Sequence, residues 1–152
     1  MKTIALLFST TANPFSGLIR AFTWSSWSHV SIIDGDTVIE AAALHGVRRV
    51  PVLDAINRAS RGEVVEFQCQ DPERIIAAAA SQIGKPYDYT ALIGLGLRRD
   101  WQESDSWFCS ELVAWAFQEA GEPIFRADAM HRVTPEHLWM LDPAPVFNIN
   151  KG

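Results

Sequence analysis

Asp34-Gly35-Asp36 stands between two strand-like runs, His29–Asp34 and Thr37–Ala42, both rich in Val, Ile and Ala. An Asp-Gly step supplies the positive φ that tight hairpin turns require, so the two runs are predicted to be antiparallel neighbours. That pairing constrains more than local structure. It brings residues near Glu40 opposite residues near His29. Both are out of character with their strands: His29 interrupts the run around Val30 and Ile32-Ile33, and Glu40 lies between Val38-Ile39 and Ala41-Ala42-Ala43. A carboxylate placed there accepts a hydrogen bond from the imidazole, fixes its tautomer and stabilises its charged form.

The rest of the chain supplies partners for this hairpin. Residues 3–9 read as a buried strand and residues 15–24 as a short amphipathic helix, with Phe15, Leu18, Ile19 and Phe22 at helical spacing. Residues 47–52 read as a further strand whose Pro51 suits a sheet edge, and residues 63–69 alternate as a half-buried strand does. Asp71 as N-cap, Pro72 in the first turn and Gly84 with Pro86 at the far end delimit a helix with its body over 75–83. Residues 85–89 form a loop, 90–97 an apolar, glycine-punctuated stretch and 98–105 an exposed loop. A helix opens at Cys109 and stops near Ala120 before Gly121 and Pro123; a short one starts at Thr134-Pro135-Glu136, and residues 146–149 return a final strand. With no repeat and no linker, this is one α+β domain spanning 1–152.

Composition narrows the function classes. The formal net charge of −5 argues against a general nucleic-acid binder, and Arg48-Arg49 and Arg98-Arg99 read first as solvated surface, second as contacts to an anionic substrate. The opening apolar stretch, residues 4–8, is too short for a signal peptide, and no run approaches a membrane span. The default expectation is a cytoplasmic location without an integral membrane segment, with phage-borne or non-classical export as the other routes. Cys69 and Cys109 allow one bridge but make no disulfide framework, and a reducing compartment keeps both free.

Cys109 carries the chemistry. A thiol that opens a helix sits beside unsatisfied N–H groups and the positive end of the macrodipole, which favours thiolate, the nucleophilic form. Each group also has a plain reading: a cysteine on a helix is usually a small buried hydrophobe, a strand histidine a hydrogen-bonded structural residue, and a glutamate a solvated one. Spacing alone does not bring Cys109, His29 and Glu40 together.

Gly84-Lys85-Pro86-Tyr87 followed by Phe108-Cys109-Ser110-Glu111-Leu112-Val113 resembles the signature of NlpC-type cysteine peptidases, in which a G-x-P-Y loop precedes an F-x-C-S-x-L-V segment. In the usual members the histidine follows the cysteine. Here His29 precedes it, an order similar to the circularly permuted branch of the papain-like superfamily, which also holds lecithin:retinol acyltransferase-like proteins; Phe8-Ser9, Leu18-Ile19-Arg20, Thr23 and Trp27-Ser28-His29-Val30 resemble that branch too. The resemblance implies a circularly permuted papain-like fold, a small antiparallel sheet packed on helices, with the nucleophile at a helix N-terminus. It implies Cys109 as nucleophile, His29 as general base and then acid, and Glu40 as the residue orienting the imidazole. Tyr87, with Trp27, Ser28 and Trp107, is expected to bind substrate. Phe108 and Glu111 depart from the usual phrase, which has an aspartate before the cysteine and a glycine two after it.

The activity so implied is hydrolysis of a peptide or amide bond in a cell-wall peptide or isopeptide-like substrate, through an acyl-enzyme. A lipid acyltransferase or thioesterase on the same three residues is the alternative within enzymes, for which Trp24 and Trp27 with Phe22 would form an apolar groove, and a catalytically idle binding module is the alternative outside them. No cofactor is expected. His45, His131 and His137 show no tight ligand pairing with each other or with the cysteines, so no metal is expected either, and His45 reads as a loop residue near the site mouth.

Overall fold

The computed structural model describes residues 1–23, 25–89, 107–141 and 146–151. Strand β1 (Lys2–Thr10) leads into α1 (Pro14–Thr23), then β2 (His29–Asp34), β3 (Thr37–Ala42) and β4 (Gly46–Pro51). Helix α2 (Val52–Arg58), β5 (Arg61–Cys69) and α3 (Pro72–Ala80) follow. After the stretch left undescribed come α4 (Cys109–Glu119), a 3₁₀ turn (Ala127–Arg132), α5 (Pro135–Trp139) and β6 (Phe147–Asn150). The strands form one antiparallel sheet ordered β4-β3-β2-β1-β5-β6. The α+β class expected from the sequence, a small antiparallel sheet packed on helices, is what these elements build.

The sheet order follows from composition. In β1, Leu6, Leu7 and Phe8 are all buried, as a strand needs when both its faces are covered and both its edges paired, here by β2 and β5. Pro51 sits on the edge strand β4, where its missing N–H disrupts no ladder. The hairpin turns at Gly35, with φ of 59°, and its rungs run from Asp34↔Thr37 to Ile32↔Ile39.

Directly paired residues share a face. One face carries Leu6, Phe8, Ile32, Ile39, Val65 and Phe67 and packs against α3 and α4. Helix α4 is buried nearly all round, from Cys109 to Ala114 and again at Ala116 and Phe117, so it is a central element and not a surface one. The opposite face holds a smaller apolar cluster of Leu7, Val38, Ala55 and Ile149 under α2. Alternation puts His29, Glu40 and Arg48 on this second face.

Asp71 caps α3 as expected, accepting from the Arg74 N–H at 3.2 Å. Beyond α3, the loop through Gly84 runs back along the start of β4: Gly84 N donates to Val47 O at 2.9 Å and Val47 N to Lys85 O at 2.8 Å. Gly46, with φ of 69°, allows this approach, because a Cβ there would lie 2.3 Å from Lys85 O. The same loop then holds the entry to α4, since Trp107 N donates to Pro86 O and Asp88 N to Trp107 O, both at 2.9 Å. The G-x-P-Y loop thereby ties the hairpin side of the sheet to the residue before Phe108. Helix α2 and the 3₁₀ turn are additions to the sequence reading. The stretches predicted over 90–97 and 98–105 lie outside the described residues. No helix among the described residues is long and apolar enough to cross a membrane.

Candidate active site

Cys109 is the first residue of α4, behind Phe108, whose extended backbone (φ −88°, ψ 148°) makes it the N-cap without any side-chain cap bond. The thiol is free, and Cys109 is buried among the apolar residues of the helix-covered face. His29 opens β2 opposite Ser9. Its Nε2 lies 2.6 Å from Glu40 Oε2, and Cys109 is near enough to the imidazole to help raise its pKa. The hairpin, through its register, and the helix start, through the loop at 84–87, bring these three groups together.

Glu40 is 1% exposed and is held by more than the histidine. Its Oε1 accepts from Arg58 Nη2 at 2.7 Å and lies 3.5 Å from Arg48 Nη2. Burial works against its ionisation, but the bond and charge of His29 and then Arg58 outweigh it and hold the carboxyl at about 2. Burial likewise opposes protonation of His29, yet hydrogen bonds to Cys109 and Glu40 and the charge on both raise it to about 10. The arrangement is a stabilised imidazolium with a fixed ring, set between a carboxylate and a thiol. Such a group gives up a proton to a leaving atom and takes one from water in return.

A cavity of about 490 Å³ opens beside the histidine. Its described lining includes Ser9, Ser28, His29, Glu40, Arg58 and Tyr87. Tyr87 packs edge-on against Tyr89 and Phe108, its hydroxyl has no hydrogen-bond partner among the described residues, and burial together with the charge of Cys109 raises its phenol above the ordinary range. Ser28 lines the cavity but its hydroxyl is engaged, accepting from Ser16 Oγ at 2.7 Å and donating to Ser9 O at 3.2 Å. His45 lies at the cavity as read from the sequence.

The tryptophans fall elsewhere. Trp27 is fully buried between Phe8 and Trp139, with Arg61 stacked over its ring, so it belongs to the core and not to a substrate groove. Trp107 stacks on Trp115 and donates to Gln82 Oε1 at 3.1 Å; it braces the entry to α4 and does not line the cavity. Trp24 and Trp101 lie outside the described residues. Arg48 and Arg58, the cations that complete the site, were not singled out from the sequence as partners of Glu40. Among the described residues no group of three or more His, Cys, Asp or Glu side chains is arranged to hold a metal ion. His137 instead completes the N-terminal capping box of α5 with Thr134.

Comparison with known proteins places the chain in a family. A family model described as permuted papain-like amidase enzyme, YaeF/YiiX, C92 family, matches residues 1–137. The "Probable lipoprotein peptidase YaeF" of Escherichia coli K12 is 28% identical over 158 aligned positions, covering 82% of the chain but 58% of that protein. The crystal structure of the metalloprotein yiiX from Escherichia coli O157:H7 superposes with a TM-score of 0.60 at 23% identity, covering 78% of the chain and 66% of that structure. The chain thus spans somewhat under two thirds of each relative, and the second likeness is one of fold.

Proposed function

The chain belongs to the permuted papain-like amidase family, and on that premise we propose that it is, as a single domain, a cysteine hydrolase of amide or peptide bonds with Cys109 as nucleophile, His29 as acid and base, and Glu40 as the positioning residue. The observation that carries this reading is an imidazole bonded to a buried carboxylate and electrostatically coupled to a helix-opening thiol.

The Cys109 thiolate attacks the amide carbonyl carbon, and the oxyanion that forms faces the uncapped N–H groups at the start of α4. The C–N bond then breaks as His29 gives its Nδ1 proton to the departing amine, leaving a thioester. Water loses a proton to His29 and adds to the thioester carbonyl; the C–S bond breaks, and acid product and thiolate are released. Glu40 holds the ring in one tautomer throughout and offsets its charge. Substrates of cell-wall peptide or isopeptide type suit a cavity lined by hydroxyls and guanidinium groups. With Trp27 in the core, the apolar groove that an acyltransferase would use loses its central ring.

The test is the pH dependence of iodoacetamide alkylation at Cys109, resolved by mass spectrometry. Wild type is expected to label rapidly well below the roughly 8.5 of a free thiol, and His29→Ala to slow that labelling about 100-fold at pH 6. Labelling that tracks an ordinary thiol in both proteins overturns the reading.

A further inference from the structure

Glu40 has more cationic partners than one buried carboxylate needs. His29 alone neutralises it, yet Arg58 and Arg48 also converge on its Oε1. Both guanidinium groups line the cavity beside His29, and Glu40 is the one acidic side chain in its described lining. The surplus is positive charge at the cavity wall, carried by side chains 27% and 43% exposed, so an anion that enters meets two guanidinium groups already held in place. Two buried donors in the same lining also lack partners among the described residues: Arg48 Nε, and the hydroxyl of Ser31, a residue only 1% exposed. They lie on β4 and β2, the strands on either side of β3, which carries Glu40. The remaining lining mixes apolar residues such as Leu7, Ala42 and Ala55 with hydroxyl and amide groups such as Ser9, Thr11 and Asn13.

We propose that this cavity receives a carboxylate borne by the substrate, with Arg48 as the residue that selects for it. The inference rests on the hydrolase reading above and deepens it: the amide cleaved at Cys109 belongs to a peptide or isopeptide carrying a free carboxylate a few bonds from the scissile carbonyl. His29 and Tyr87 line the cavity and both feel the charge of Cys109, which does not itself line it; a substrate whose carbonyl reaches the thiol past the imidazole places its neighbouring bonds in the cavity. A flat, singly charged group matches a guanidinium edge with one free Nε donor and a nearby hydroxyl. So small a set of unpartnered donors suits a singly charged anion more than a dianion.

Three N-alkyl iodoacetamides of equal chain length, ending in a carboxylate, a phosphonate or a primary amide, test this without a known substrate. Alkylation of Cys109 in the full chain is followed by mass spectrometry for wild type, Arg48→Gln and Arg48→Lys, with far-UV circular dichroism confirming that each is folded. Wild type is expected to favour the carboxylate over the amide reagent about tenfold, the scale of one charge-assisted bond. Arg48→Gln brings that ratio to near parity, and Arg48→Lys keeps part of it. A wild type without the preference, or a preference that survives Arg48→Gln, overturns the inference while rapid His29-dependent labelling leaves the hydrolase reading standing. A stronger preference for the phosphonate overturns the carboxylate assignment. Alkylation by all three reagents at the rate of an ordinary thiol overturns the hydrolase reading and this inference with it.

Discussion

On the face of the sheet covered by α3 and α4, strand side chains such as Leu6, Phe8, Ile32 and Ile39 belong to one large apolar cluster. On the opposite face Leu7 and Val38 are as deeply buried, but they share their surface with Ser9, Ser31 and Glu40. Burial is therefore a poor guide to role in this molecule: Glu40 is as hidden as Ile39, its neighbour in the chain. What separates the faces is the partner that each buried group requires. An aliphatic side chain needs volume, whereas Glu40 needs His29, Arg58 and Arg48 in register. The candidate site joins the two, taking its thiol from the helix-packed side and its carboxylate from the ionic side, with His29 between.

The strongest challenge to this division is Cys109→Ala. If the helix-packed face contributes only a nucleophile at that position, the variant loses amide hydrolysis by about 10⁴-fold or more. Its unfolding free energy stays within about 1–2 kcal/mol of wild type, because a small apolar side chain replaces another. Turnover assays and urea melts check the two halves, and a collapse in stability would show that Cys109 is primarily a packing residue.

The next comparison sets Phe117→Ala on the helix-packed face against Glu40→Gln on the ionic one. Both are expected to cost about 3–5 kcal/mol, the first by opening a cavity and the second by leaving buried cations without their counter-charge. They differ in pH dependence. Glu40 titrates at about 2 in the fold against an ordinary 4.5, so its contribution is complete above pH 4.5 and is lost as pH falls through about 2. His29 titrates at about 10 against 6.5, so its contribution is complete below pH 6.5 and is lost as pH rises towards about 10. Wild type is thus most stable between these limits. The cost of Glu40→Gln is largest in that window, while that of Phe117→Ala is the same across it. Urea unfolding at acid, intermediate and alkaline pH distinguishes them, and parallel pH curves for the two variants would defeat the assignment of Glu40 to an ionic network.

The two faces also differ in how much of them can be read in the chain. The apolar face is legible because alternation in the strands and the Asp71 cap act locally, and so does the Asp34-Gly35-Asp36 turn, which with its register brought Glu40 towards His29. The G-x-P-Y and Phe108-Cys109-Ser110 segments resembled a known family closely enough to give the architecture. The ionic cluster is harder. Arg48 reaches Glu40 because β4 pairs directly with β3, Glu40↔Arg48, and that signal was present once residues 47–52 were read as a strand. Arg58 needs α2, whose Val52, Ala55 and Ile56 have helical spacing but form less than two full turns, too short for periodicity to declare. Trp27 lies two residues before His29 and outside β2, so strand alternation did not tell that its ring turns into the core.

That alternation yields the finest comparison, between Arg48 and Arg49. They are neighbours in sequence and invite a single interpretation, yet strand geometry sends them to opposite faces. Arg48 meets buried Glu40, whereas Arg49 pairs with Asp34 and donates to Thr37 Oγ1 at 2.9 Å where both partners of the ion pair are over a third exposed. Water and salt screen the Arg49 pair, so Arg49→Gln is expected to change unfolding free energy by about 0–1 kcal/mol, less still at high salt. It should leave the ratio of carboxylate to amide reagent at Cys109 at its wild-type value. Arg48→Gln, one residue away, moves that ratio. Equal effects from the two arginines would mean that general positive charge, and not the face of the sheet, governs what approaches the thiol.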